Sequence, residues 1–350
     1  MRLAEIPNVT ILPHAPLSHY TRFAIGGPAD LYAETDRAES FIGALEAARA
    51  SGLDYVVIGG GTNLIVSDDG FRGIVLRFGA RRILAAGNRV SADGGAVLQD
   101  LIDFAIDRGL RGLETLSGIP GSVGAAVYGN AGAYGHSISE RVRSVRFYDG
   151  ENVRVMDNEE CEFHYRESIF KRHKDWIIFS TELALEPAEA AELRKIADDI
   201  LKVRNEKFPV TMKCAGSIFK NFLLDELPEP IAAQIPKHVI REGKVPAAYF
   251  LEQVNAKGAQ RGDIHVADYH ANLIYNAGGG TARDLIALIT DLKNRVRDRF
   301  GVELEEEVQY VGYATRNGAS LPDSLLPLSG PARNSQPERP QPETPKLRKT

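Results

Sequence analysis

The chain has 350 residues, 42 Lys and Arg against 47 Asp and Glu, and a formal net charge of −5. A length of this order accommodates two or three domains, and an acidic balance argues against a nucleic-acid partner, so any anionic ligand must be held by local groups. The N-terminus has no apolar core of signal-peptide length, and no segment approaches the roughly 18 apolar residues of a membrane span, so a cytoplasmic protein without membrane association is expected. Cys161 and Cys214 are the only two cysteines, too few and too far apart for a disulfide framework or a zinc site, and no metal is expected.

Residues 18–33 (SHYTRFAIGGPADLYA) read as a turn-rich entry to a strand, and Asp36–Ala50 has apolar residues at helical spacing and is ended by Gly52. A strand at Asp54–Ile58 runs into Gly59-Gly60-Gly61-Thr62-Asn63 and a second apolar run, Leu64-Ile65-Val66. This triplet fits neither the Rossmann fingerprint nor a P-loop, because the residues after Asn63 read as strand, loop and strand instead of a helix. Successive N–H groups in such a loop can still form an anion-binding nest. A helix is expected at Ala96–Arg108.

The stretch Ser117–Gly135 (SGIPGSVGAAVYGNAGAYG) is nearly devoid of side chains. Its bareness fits a cofactor cradle or a tightly packed structural loop, and the cradle is the reading preferred. A short Ala-rich helix start after Pro120-Gly121-Ser122 is expected to offer free N–H groups to phosphate oxygens. A hairpin around Asp149-Gly150 joins Val142–Tyr148 to Val153–Met156, and Trp176–Leu185 reads as a strand. Helices are expected at 188–206 and Thr281–Phe300, the latter opened by a Thr281/Asp284 capping box. Residues 264–276 read as strand, 222–250 as irregular, and Glu305–Val308 as part of a last strand. From about Ala314 the chain becomes Pro-rich and loses its aromatics, so 314–350 is expected to be a disordered tail.

Read together, TRFAIGG, IGGGTNLIVSDDGFRG, SGIPGSVGAAVYGNAGAYG, YRES, AGSIFKN, HANLIYNAG and LEEEVQYVG resemble the UDP-N-acetylenolpyruvoylglucosamine reductase family in motif and order, over about residues 18–313. The resemblance implies an α+β fold: a two-lobed FAD-binding region of the vanillyl-alcohol-oxidase (PCMH) type at 1–186, with lobes of about 1–78 and 79–186, and a separate α+β substrate-binding domain at 187–313. It implies NADPH as hydride donor and a monomeric, cytosolic enzyme of peptidoglycan precursor synthesis, taking a UDP-sugar enolpyruvyl ether to its lactyl ether. FAD would contact Gly59, Gly60, Gly61, Thr62, Asn63 and Leu64 in the first loop. In the second it would contact Ile119, Pro120, Gly121, Ser122, Gly124, Ala125, Gly132, Ala133 and Tyr134. The first loop carries no His, which implies noncovalent FAD.

The same resemblance implies that hydride reaches C3 of the enolpyruvyl group from flavin N5. Arg166 would stabilise the developing carboxylate-conjugated enolate, Glu307 would assist it as a protonated or proton-sharing acid, and Ser217 would protonate C2. Lys207, Lys220 and Asn221 would hold the sugar nucleotide, with Arg204 and Lys213 as further cations. Cys214 lies three residues before Ser217, so its alkylation is expected to slow turnover. Two rivals stay open on the residues alone: a flavin oxidase of the same fold, and a catalytically silent nucleotide-binding protein.

Overall fold

The computed structural model describes residues 3–313, so the expected tail at 314–350 lies outside the described residues. Three sheets organise the chain. The first has the order Thr10–Pro13, Ala29–Thr35, Phe71–Phe78, Tyr55–Ile58; the outer Thr10–Pro13 is antiparallel and the other pairings are parallel. The strand Phe71–Phe78 is buried on both sides because its side chains alternate. Ile74 and Leu76 join one core with Phe41, Leu45 and Phe179, whereas Val75 joins another with Tyr32, Ile58 and Val66. The helix Ala38–Ala50 packs its Phe41, Ala44, Leu45 and Ala48 stripe on the first of these.

The second sheet is antiparallel, ordered Val153–Asp157, Val142–Tyr148, Ile177–Ala184, Arg89–Asp93, Ile83–Ala86. Its hairpin turns where expected: the Asp149 carboxylate accepts from the N–H groups of Glu151 and Asn152, and Gly150 takes φ +102°. The helix Leu98–Ile106 buries Leu98, Leu101, Ile102 and Ala105 against this sheet's core.

The third sheet is antiparallel, ordered Lys213–Ser217, His270–Asn276, Ile264–Ala267, Gln260–Arg261. The helix Ala282–Phe300 covers it, burying Leu285, Leu288, Ile289, Leu292 and Val296, a stripe worth roughly 10 kcal/mol of gross hydrophobic stabilisation. Thr281 caps its start by accepting from the Asp284 N–H, and Gly301 ends it at φ +68°. The expected strand at 264–276 is two strands, folded back between Ala267 and His270.

The last strand also lies later than expected. Glu305–Glu307 runs alongside residues 218–220, and the regular strand is Gln309–Val311, which pairs in parallel with Leu64–Val66 of the first glycine-loop region. The irregular 222–250 segment is bracketed by a short pairing of Phe222–Leu223 with Lys244–Val245, and it sends Leu227, Ile235 and Val245 into the core of the third sheet. Two buried or capping contacts tie this part of the chain to the first. Asp68 accepts from the N–H groups of Ala282 and Arg283 at 2.7 and 2.9 Å, and the Asn276 amide donates to the Phe23 carbonyl at 3.0 Å.

Candidate active site

Both glycine loops meet. Gly59–Asn63 leaves the strand Tyr55–Ile58 and touches the second loop along its length: a Cβ on Gly59 would lie 3.0 Å from Ser122 Oγ, and one on Gly60 3.3 Å from Gly121 Cα. The Thr62 hydroxyl donates to the Pro120 carbonyl at 3.3 Å. Gly61 is irreplaceable by geometry, since it sits at φ +66° and a Cβ there would lie 1.7 Å from the Tyr20 carbonyl oxygen. Such a surface of opposed bare backbone suits a long cofactor with two phosphates, so the residues fit FAD.

One expected element of the cradle is absent. The helix start after Ser122 does not present free N–H groups: Val123 and Gly124 donate to the carbonyls of Ala96 and Gly94 at 2.8 Å each, and Ala125 donates to the Ser122 hydroxyl at 3.4 Å. The Gly94-Gly95-Ala96 loop packs on the turn and takes these donors, so the six-residue helix Val123–Tyr128 is a packing element. Leu64 and Ile119 are apolar walls of the neighbouring cores. Gly132 and Ala133 form a small antiparallel pair with His136 and Ser137, carrying Tyr134 at its tip at φ +52° and 51% exposed.

Arg166 occupies the tip of a tight turn, His164–Glu167, closed by reciprocal backbone hydrogen bonds of 3.1 and 3.2 Å. Its φ of +58° is one that glycine or asparagine usually supplies at this turn position. The guanidinium is 22% exposed; Nη2 donates to the Gly132 carbonyl at 2.8 Å, and Nε stands 3.0 Å from Glu307 Oε1. Glu307 is held through its backbone: its N–H donates to the Ile218 carbonyl at 2.8 Å, and its own carbonyl accepts the Asn63 amide at 2.9 Å. Ser217 precedes Ile218 at the end of Lys213–Ser217, after Gly216 at φ +79° and a register shift against the neighbouring strand. Such a bulge re-aims the side chain beyond it. Arg166 and Glu307 are therefore in contact, Ser217 lies on the segment beside Glu307, and Asn63 of the first glycine loop fastens that segment.

The expected cations divide. Arg204 has a buried Nε without a partner, and burial above all, then Arg22 and Arg166 against an opposing contribution from Tyr134, holds its pKa below the ordinary arginine value. Lys207 is lowered by lost hydration and then by Arg204 and Arg241. A cluster of mutually repelling cations is what an anion site looks like before its anion arrives. Lys220 differs: its ammonium is 2.8 Å from Glu167 and 2.6 Å from Glu305, which leaves one donor for a ligand. Asn221 spends its side-chain oxygen on the Ala247 N–H at the start of the helix Ala247–Gln253. Lys213 is exposed at the edge of the third sheet.

Cys214 is fully buried in the core of the third sheet, so alkylation would require opening that core, contrary to expectation. Among the described residues, no group of three or more His, Cys, Asp or Glu could hold a metal ion. Sequence reasoning missed Asn130, which sits at φ +43°, donates to the His164 carbonyl at 2.8 Å and so braces the turn that carries Arg166. Its signal was present in Gly129-Asn130, a pair suited to a left-handed turn. It also missed Arg241, hidden in the unplaced segment.

Two regions of the chain are matched by known families. A profile described as an FAD binding domain covers residues 29–155, and one described as the C-terminal domain of UDP-N-acetylenolpyruvoylglucosamine reductase covers residues 206–311. An FAD-binding region followed by a reductase-type domain defines a flavin-dependent oxidoreductase. A curated UDP-N-acetylenolpyruvoylglucosamine reductase of Solibacter usitatus (strain Ellin6076) is 69% identical over 312 residues, 89% of this chain and 100% of the relative. One of Bacillus velezensis is 34% identical over 306 residues, 86% of this chain and 94% of the relative. The solved structure of the reductase from Thermus caldophilus aligns with TM-score 0.67 and 27% identity, covering 87% of this chain and 98% of the other. The chain belongs to the UDP-N-acetylenolpyruvoylglucosamine reductase family.

Proposed function

We propose that the chain catalyses NADPH-dependent, FAD-mediated reduction of UDP-N-acetylglucosamine enolpyruvate to UDP-N-acetylmuramate, a step of peptidoglycan precursor synthesis. The observation that carries it is the Arg166–Glu307 pair, 3.0 Å apart beside Ser217 and fastened to the glycine loop by Asn63. Noncovalent FAD would be held by Gly59, Gly60, Gly61, Thr62, Asn63, Leu64, Ile119, Pro120, Gly121, Ser122, Gly132, Ala133 and Tyr134, with Gly124 and Ala125 contributing only their small size because their N–H groups are already spent. When bound it supplies the hydride, received from NADPH, that the enolpyruvyl C3 accepts.

Hydride addition places negative charge on C2 and on the conjugated carboxylate, and the protein's task is to stabilise that charge and deliver a proton. Arg166 binds the substrate carboxylate with its guanidinium. Glu307 holds the guanidinium as an ion pair, its Oε1 3.0 Å from Nε, and keeps proton-sharing chemistry next to the reacting carbons. Ser217 donates its hydroxyl proton to C2. Lys207, with Arg204 and Arg241 close enough to perturb it, binds the diphosphate, while Lys220 and Asn221 shape the floor through their protein partners. We assign 1–186 to the FAD-binding region, divided near residue 78, and 187–313 to the substrate domain. The helix Ala190–Lys207 spans the change, since Leu193 and Ala197 pack in the second core and Arg204 and Lys207 stand at the site.

No helix among the described residues is long and apolar enough to cross a membrane. We place the enzyme in the cytoplasm as a monomer. An anaerobic spectral titration tests the whole reading: NADPH should bleach the bound flavin, and UDP-N-acetylglucosamine enolpyruvate should restore its oxidised spectrum without oxygen. Bleaching that only oxygen reverses would favour an oxidase instead.

A further inference from the structure

Arg166 presents a problem that its own turn does not solve. A non-glycine residue at φ +58°, 22% exposed, is held in a sparsely populated conformation and persists only where its surroundings over-determine it. The reciprocal backbone bonds of His164 and Glu167 close the turn around it, but they leave the Arg166 carbonyl itself to be satisfied from elsewhere. That carbonyl accepts the ammonium of Lys171 at 2.5 Å. Lys171 lies on the short helix Ile169–Arg172, its side chain 17% exposed, and its ammonium also reaches Glu167 Oε1 at 3.3 Å. Glu167 in turn takes Lys220 at 2.8 Å, and Lys220 reaches Glu305, two residues before Glu307.

We propose that Lys171 is a positioning residue for the reaction: it clamps the Arg166 backbone in its left-handed conformation and, through Glu167 and Lys220, ties that turn to the strand segments carrying Ser217 and Glu307. This rests on the role given to Arg166 above. An apolar side chain would fill the same space at less desolvation cost, so an ammonium driven into a largely enclosed position is explained by what it holds. The Ser168 hydroxyl, donating to the Tyr128 carbonyl at 2.6 Å, anchors the start of the same helix, so the clamp has a rigid base.

The test uses the flavin-loaded enzyme with Lys171→Met, Lys171→Arg, Arg166→Ala and the Arg166→Ala/Lys171→Met double variant, following each half-reaction by flavin absorbance under anaerobic conditions. Lys171→Met should leave bleaching by NADPH within about twofold and slow reoxidation by the enolpyruvyl substrate at least about tenfold, the scale expected when a reacting group is slightly misplaced. Lys171→Arg should recover most of that loss. In the Arg166→Ala background the Lys171 change should add less than about twofold, because the carbonyl it holds remains but the guanidinium that this backbone positions is gone. Unchanged reoxidation in Lys171→Met, a loss that adds fully to that of Arg166→Ala, or equal slowing of both half-reactions without rescue by arginine would each overturn the proposal. Arg166→Ala with normal reoxidation would instead remove the underlying reading of Arg166, and the clamp with it. Should Lys171→Met fail to retain flavin, Glu167→Gln, which keeps the shape and weakens the ionic link, should slow reoxidation selectively; equal rates to the parent in both half-reactions would again reject the clamp.

Discussion

In the proposed reaction Ser217 is a weak acid whose use depends on placement. Its residue follows Gly216 at φ +79° on a bulged strand end, and its neighbour Ile218 is bonded to Glu307, so the position proposed for the proton donor is fixed by the backbone. Ser217→Ala should therefore bleach normally with NADPH yet reoxidise with substrate at least about 100-fold more slowly, as loss of a general acid typically produces. Stopped-flow absorbance separates the two steps, and normal reoxidation would remove Ser217 from the chemistry. Glu307→Gln should damage the second step far more than the first, since the amide keeps the shape but not the charge that faces Arg166 Nε; equal damage to both would reassign the residue to cofactor binding. The three residues proposed for the chemistry were singled out by their motifs, because YRES, AGSIFKN and LEEEV each carry one. Their mutual placement was not, since the contacts join positions 63, 166, 218 and 307, and no local spacing encodes them. Lys220 was legible as a cation but not as one already committed to Glu167 and Glu305.

At the scale of elements, local chemistry predicted well wherever an element supplies its own signals. The helix Ala282–Phe300 begins at its Thr281 cap and ends at Gly301, and Val142–Tyr148 turns at Asp149-Gly150 as the sequence implies. Prediction failed where a distant segment competes for backbone donors, as Gly94 and Ala96 do at the helix after Ser122. In the first glycine loop, Gly61 is the position whose conformation only glycine tolerates, and Gly61→Ala tests the cradle proposed there. A Cβ 1.7 Å from the Tyr20 carbonyl forces the loop open, so the purified variant should carry less than about a tenth of the parent's flavin by absorbance. The strand His270–Asn276 carries a pH liability. Burial, with Lys207 and Lys257 adding to it, holds the His270 pKa down to about 4, and its Nδ1 accepts the Asn272 N–H, which the charged ring cannot do. The unfolded chain takes up that proton below about 6.5 whereas the fold does not, so stability falls as pH drops from about 6.5 towards 4, by roughly 3 kcal/mol in all. Urea melts of His270→Gln should be flatter than the parent's across that window; parallel curves would exonerate the histidine.

Across the whole molecule, the Asp68 carboxylate reaches from beside the first glycine-loop strand to the N-terminus of the helix Ala282–Phe300, using both oxygens. Asp68→Ala should lower unfolding stability by about 1–2 kcal/mol, the usual worth of a helix cap, measured as a fall in urea midpoint at constant slope. A reduced slope instead would mean that the two parts unfold separately. A chain ending at Tyr313 should keep both half-reactions, because Tyr310 and Tyr313 pack edge-on and the strand Gln309–Val311 is retained; a large loss of activity would give residues 314–350 a role in catalysis.

That C-terminal strand also sets a clock. Gln309 bonds to Asn63, and Asn63 bonds to Glu307, across 244 residues of sequence. On the ribosome, where chains emerge N-terminus first at about 5–20 residues per second, the first glycine loop waits on the order of ten seconds or more for the segment that completes it. The chain thus emerges with its first glycine loop exposed and Glu307 still to come, and the two meet only when the closing strand pairs with Leu64–Val66.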